Sequence, residues 1–464
     1  MNVTTRKPSN STFYFTNTSI SENVCELLEL ALDETDFEIS RSAMKILYCK
    51  NAQILEAISE SNYLSHNALK YLSGSDEITD LQISKLAEIT EICVSTLPEY
   101  IEYYSYITKF LKFTENENVT MTILNLLENN DDLITIHLYF DTIGFVSKVI
   151  KHIIDLRVCQ IQGRRLGNLF LILKKCFMNE KLSEKCQSPS IIEIITDINS
   201  DDDPFVLKQQ WELIYEMSNL PCFEKNDENL IEYAISFISI DSLDFFYEYQ
   251  VFAMDFLTKI FQQENSNSNH CAGDKDTQYR KISHNTNGSL SIIDFEFLCN
   301  ILKNVFKKFP NHTIALSSAV NLVISMLNCQ ESFEIAYRTF IPFFIKCIDD
   351  QNDNNFTSNS DSASENTEVN DVSQFIKDNH KLKITERLLK TYAINAIKKI
   401  IELGDSNEIV FEKIENDDDF VKVCNDTVFN YDKIRIKNYG GKSKNLRLLS
   451  FRNMPTIKIP KTVE

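Results

Sequence analysis

The stretch 83-ISKLAEITEICVSTLPEYIEYYSYITKFL-111 decides the fold class. Ile83, Leu86, Ile89 and Cys93 recur at three- and four-residue intervals, which puts them on one stripe of a helix. Tyr100, Tyr103/Tyr104, Ile107 and Phe110/Leu111 form a second stripe, and Leu97-Pro98-Glu99 breaks the chain between the two. The spacing predicts an antiparallel pair of amphipathic helices.

The same pattern recurs outward from this pair. Met121 to Leu127, then Ile143, Val146, Val149/Ile150 and Ile153, then Leu166, Leu169/Phe170, Leu173 and Phe177, then Leu207, Trp211, Ile214 and Met217 each mark a short helix. Further along, 292–309, 313–327, 333–348 and 384–403 read as helices too, the last with Leu388/Leu389, Tyr392, Ala396 and Ile400 on one side. Leu86 and Leu124 are expected in the core. Only nine glycines and nine prolines occur in 464 residues, too few for the turns of a large sandwich, barrel or nucleotide-binding α/β domain. The fold expected is all-α, an α-solenoid of armadillo/HEAT-like antiparallel helix repeats, inferred from the succession of helices and not from a strict sequence period.

The domain map follows composition. Residues 1–20 are polar and expected to be disordered, and 21–261 form a helical-repeat region. A flexible polar loop is expected at 262–289, continued helical repeats at 290–348, an acidic disordered loop at 349–372 and C-terminal helices at 373–430. The tail 431–464 is basic, with Lys433, Arg435, Lys437, Lys442, Lys444, Arg447, Arg452, Lys458 and Lys461 against Asp432 and Glu464. It reads either as a solvated tail or as a segment lying back on an acidic body.

Bulk properties limit function. A net charge of −20 opposes nucleic acid and anionic membrane surfaces. No run of eighteen apolar residues is present and the first nineteen residues lack a signal-peptide core, so the cytosol or nucleus is the expected location. The sequons Asn10-Ser11-Thr12 and Asn118-Val119-Thr120 then carry no glycan. Twelve cysteines stand singly with no CxxC pair and read as buried thiols.

Catalytic motifs are missing: the sequence has no Walker A loop, GxGxxG, HExxH or GxSxG. Gly163-Arg164-Arg165-Leu166-Gly167 reads as a turn and the exposed basic start of a helix, with an anion site as the alternative. Asp201-Asp202-Asp203-Pro204 suits a helix N-cap better than a Mg²⁺ site. His66, His137, His152, His270, His284, His312 and His380 lie far apart without a ligand spacing. Phe245, Phe246, Tyr247, Tyr249, Phe252 and Phe256 read as core, with one face as an alternative partner groove. No catalytic, cofactor or metal residue is assigned, no small-molecule substrate is expected, and the partner-binding residues stay unassigned.

From Leu27 to Phe177 the order of helices resembles the first half of the SAPS family, regulatory subunits of type 2A-like Ser/Thr phosphatases. Leu47-Tyr48-Cys49-Lys50-Asn51-Ala52-Gln53-Ile54-Leu55-Glu56-Ala57-Ile58 looks like that family's leucine-cysteine pair before a short helix. Tyr71-Leu72 with the helix Ile83 to Val94, Glu99 to Tyr103 with Phe110-Leu111, the leucine-rich Met121 to Leu127 and the aliphatic Ile143 to Ile150 follow in the family's order. Tyr139-Phe140 stand where the family usually has a tryptophan, and Gly167-Asn168 replace an asparagine-alanine step. The resemblance implies a non-catalytic subunit that binds a type 2A-like phosphatase catalytic subunit and steers its substrate choice. The residues alone are equally those of a helical adaptor unrelated to phosphatases.

Overall fold

Thr79 opens the deciding helix as the stretch requires: its hydroxyl accepts from the Gln82 N–H at 3.2 Å, and Gln82 Oε1 accepts from the Thr79 N–H at 3.2 Å. That reciprocal pair satisfies two of the N–H groups a helix start leaves over. The computed structural model of the chain describes residues 20–73, 78–161, 163–220, 223, 228–239, 245–270, 290, 293–349 and 369–429. Among the described residues there is helix and no strand. The expected segment 1–20 apart from Ile20, the expected tail 431–464, and the bulk of the two expected loops lie outside the described residues.

The chain divides into two compact units, residues 1–259 with 286–291, and 260–285 with 292–464. The helices of the first are α1 (Ile20–Leu32), α2 (Phe37–Tyr48), α3 (Ala52–Ser61), α4 (Tyr63–Leu72), α5 (Asp80–Thr96), α6 (Glu117–Leu126), α7 (Ile134–Thr142), α8 (Phe145–Val158), α9 (Arg164–Met178), α10 (Ser183–Cys186), α11 (Pro189–Thr196), α12 (Pro204–Met217) and α13 (Glu228–Ile238). Next comes α14 (Glu248–His270), which crosses the division.

The first stripe is as expected: Ile83, Leu86, Ile89 and Cys93 are buried on α5. Fully burying a side chain like Leu86 contributes roughly 1.5–3 kcal/mol. The second stripe is corrected. Pro98–Phe113 is not an α-helix but a 3₁₀ segment, broken at Tyr104 (φ −106°, ψ 35°). Its buried residues are Ile101, Tyr104, Tyr106, Ile107, Phe110 and Leu111, and four of them, Ile101, Tyr104, Ile107 and Phe110, keep the three-residue interval at which 3₁₀ side chains align. Tyr100 and Tyr103 therefore turn outward. Buried hydroxyls fix the break, since the Tyr104 hydroxyl lies 2.7 Å from Ser59 Oγ and the Tyr106 hydroxyl 2.8 Å from Thr90 Oγ1.

Other details also depart from the stripes. On α6 Ile123 is in the core, Leu124 only half-buried and Met121 exposed. Ile143 ends α7 rather than sharing a helix with Val146, because Gly144 at φ +64° turns the chain between α7 and α8. Residues 262–270, expected in a loop, continue α14, and this polar run contains no glycine or proline to stop a helix.

The second unit contains α15 (Phe295–Lys308), α16 (Thr313–Asn328), α17 (Phe333–Asp349), α18 (Val369–Gly404), α19 (Glu408–Glu415) and α20 (Asp418–Val423). Asp349 and residues 369–372 are thus helical ends where a loop was expected, and α18 runs on because no glycine or proline interrupts it before Gly404. Its core centres on Phe306, whose ring meets those of Phe340, Phe343 and Phe344 at 5.6–6.3 Å. Tyr337 donates to Asp417 Oδ2 at 2.8 Å while Asp417 Oδ1 caps α20 at Phe420 N, which ties α17 to the start of α20.

Candidate functional site

The surfaces of α3, α5 and the 3₁₀ segment are acidic. Glu56 and Glu60 on α3, Glu88 and Glu91 on α5, and Glu99 and Glu102 on the 3₁₀ segment have no lysine or arginine partner among the described residues. Tyrosines hold several carboxylates of these helices instead. The Tyr48 hydroxyl donates to Glu88 Oε2 at 2.6 Å and the Tyr100 hydroxyl to Glu56 Oε1 at 2.9 Å, and on the neighbouring α1 Glu29 accepts from the Tyr63 hydroxyl. The Tyr48 phenol is pushed up to about 12 by burial and by Glu88, and that of Tyr100 to about 12 chiefly by its bond to Glu56. Glu91 accepts from Thr122 and Asn125, both at 2.9 Å. Residues 20–140 carry twenty-one acidic against seven basic side chains, a net of −14. Carboxylates oriented in this way favour a partner with a basic surface and speed its approach. The sequence reading missed these surfaces because it assigned Tyr100 and Tyr103 to the core; the 3₁₀ period was the signal.

The residues singled out by sequence are placed as follows. Asp203 caps α12, accepting from Phe205 N at 2.8 Å. Asp202 is buried and paired with Arg157, which also donates to Gln210 Oε1 at 3.0 Å and lies over the Phe170 ring at 5.8 Å. Burial raises the Asp202 carboxyl above its ordinary range, with Arg157 acting against it. Gly163, at φ +126°, turns the chain into α9. Gly167 packs against Phe205 of α12. Trp211 meets Phe237 and Phe256, both at 5.9 Å, and Tyr249 meets Phe237 at 5.6 Å. Phe246, Tyr249 and Phe256 are core, whereas Phe245 is exposed.

His137 is buried, with Nε2 3.1 Å from the Leu126 carbonyl, and His312 Nδ1 caps α16 by accepting from Ala315 N. Among the described residues no three His, Cys, Asp or Glu side chains gather as metal ligands. The cysteines divide: Cys93, Cys176, Cys186, Cys299, Cys329 and Cys424 are buried, but Cys49 and Cys159 are exposed. Among the described residues no single helix is long and apolar enough to cross a membrane.

Two cavities of about 400 Å³ open on the first unit. One lies between the start of α8 and α11, with Phe140, Phe145 and Leu182 as its floor and Asp141, Ser147 and Lys185 at its rim. The other, at the end of α8, is lined by Arg157, Gln160, Asn199 and Asp201. Neither places a histidine or cysteine in its wall.

No family model matches the chain, and no curated protein matches it. Among solved structures, one that matches is the crystal structure of an engineered protein from a structural genomics consortium, at 12% identity and a TM-score of 0.41, covering 90% of this chain and 92% of that one. A likeness at that level carries no argument about this chain.

Proposed function

We propose that the chain is a non-catalytic helical scaffold: a solenoid of armadillo/HEAT-like antiparallel helix pairs that binds a type 2A-like Ser/Thr phosphatase catalytic subunit and directs its substrate choice in the cytosol or nucleus. The observation that carries the reading is the order of short amphipathic helices from Leu27 to Phe177, similar to the SAPS family. The acidic surfaces of α3, α5 and the 3₁₀ segment support it from the side of binding. Two of their carboxylates, Glu56 and Glu88, are held by tyrosines before any partner arrives, so less side-chain freedom is lost there on association. A helical surface of this breadth spreads binding over many contacts, so single surface substitutions weaken capture modestly.

The test is a pull-down with the full purified chain from native extract, read by mass spectrometry and by a phosphatase assay on the eluate. A type 2A-like catalytic subunit in the eluate, with activity that leaves when the partner is stripped by salt, is the expected result. Recovery of other proteins with no phosphatase points to the alternative, a helical adaptor unrelated to phosphatases. Activity that stays with the stripped chain sinks the non-catalytic reading.

A further inference from the structure

The cavity between the start of α8 and α11 has two kinds of wall. Its floor is apolar: the rings of Phe140 and Phe145 stack at 4.5 Å, and the buried Leu182 and Ile191 complete it. The volume of about 400 Å³ lies toward the lower end of the roughly 300–1,000 Å³ usual for small-molecule sites, which suits a ligand of amino-acid size. At Gly144, whose φ of +64° turns α7 into α8, the wall carries no side chain, and a Cβ there would meet nothing within 4 Å.

The rim is polar, and its groups do not satisfy one another. Asp141 Oδ1 is covered by the protein yet has no hydrogen-bond partner, although covered carboxylate oxygens are ordinarily bonded. Lys185 Nζ stands 3.6 Å from it, beyond hydrogen-bond reach. The lysine side chain is 59% exposed and that of Asp141 37%, so water screens the pair and it contributes little to stability. On the same rim Ser188 Oγ and Ser190 Oγ lie 3.3 Å from each other and have no other partner.

A carboxylate and an ammonium that stand apart at the mouth of one apolar cavity select by charge. A ligand with a single charge would compensate one of them and repel the other. A zwitterion compensates both. We infer that this cavity binds an apolar α-amino acid, aromatic or branched aliphatic, as its zwitterion. The ligand ammonium donates to Asp141, and the ligand carboxylate accepts from Lys185 and from the Ser188 and Ser190 hydroxyls, which rotate to suit it. The ligand side chain covers the Phe140 and Phe145 rings and leaves water. The inference stands apart from the phosphatase reading, and a failed pull-down leaves it intact.

The experiment is equilibrium dialysis of the full chain against phenylalanine, leucine, glycine, N-acetylphenylalanine and phenylalanine amide in turn, with bound and free probe measured by mass spectrometry. Saturable binding of phenylalanine and leucine and none of glycine are expected. The two blocked probes are expected to bind roughly tenfold more weakly than phenylalanine, since each block removes one charge-assisted bond. Asp141→Asn is expected to erase the preference for phenylalanine over N-acetylphenylalanine, and Lys185→Gln the preference over phenylalanine amide. Both side chains stand at the partly exposed rim, so the melting curves are expected to be unchanged. Loss of phenylalanine binding in either variant with an unchanged melting curve supports the inference as well. N-acetylphenylalanine bound as tightly as phenylalanine would make the ligand an apolar anion, and phenylalanine amide bound as tightly would make it an amine or a peptide N-terminus; either result overturns the zwitterion. No saturable binding of phenylalanine or leucine, or preferences that survive in both variants, overturns the site.

Discussion

Gly167 on α9 packs against the ring of Phe205 on α12: a Cβ at 167 would lie 2.5 Å from that ring. The glycine is there for proximity and not for backbone freedom, since its conformation is helical. Gly167→Ala gains about 0.5–1 kcal/mol of helix preference but forces overpacking that costs roughly 1–3 kcal/mol. A net loss of up to about 2.5 kcal/mol is expected in urea unfolding. Adding Phe205→Ala, which clears the space, is expected to cancel the penalty of the methyl group added at 167; if the two substitutions are simply additive, the contact is not the cause.

His137 and His152 set a pH dependence. Burial holds both below their ordinary 6.5, with the neighbouring cations adding to the effect at His152. The unfolded chain therefore binds more protons than the folded one between the two values. The stability these residues contribute is complete above pH 6.5 and is lost as pH falls through 6.5 toward the lower folded value. His137→Gln, which keeps a donor for the Leu126 carbonyl, is expected to flatten the fall between pH 7.5 and 5 in urea unfolding. An unchanged slope would remove His137 from the account.

Thiol reactivity is expected to follow exposure. Cys49 and Cys159 are exposed, while burial pushes the Cys93 and Cys186 thiols up to about 12, where almost no thiolate exists at neutral pH. Iodoacetamide labelling of the native chain followed by peptide mapping is expected to mark Cys49 and Cys159 within the time that Cys93 and Cys186 stay unmodified. Denaturant should expose all of them.

Charge insertion separates the core residues from their neighbours. Leu86→Asp and Ile123→Asp each place a carboxylate in a fully buried position and are expected to cost several kcal/mol and most of the soluble expression. Leu124→Asp, one residue from Ile123, is expected to be clearly milder, because Leu124 is only half-buried. Equal losses at 123 and 124 would mean that the face of α6 is wrongly assigned.

The apolar intervals of the sequence determined by themselves that the chain is helical, and they located α5, α9, α12 and α15 to α17 closely. Periodicity works there because an amphipathic helix must turn one stripe inward wherever it packs. Caps were legible on the same local basis: Asp203 before Pro204 needs only its own turn. The 3₁₀ form of Pro98–Phe113 was not legible, since stripes of period three and period 3.6 coincide over a few residues and Ser59 and Thr90 decide between them from other helices. Nor was the join between the end of the 3₁₀ segment and α9, made by Thr114 and Asn168 across more than fifty residues of sequence. Local sequence sets which face of each helix is apolar. Which charges then share a surface depends on long-range packing, and that was decided by the tertiary structure.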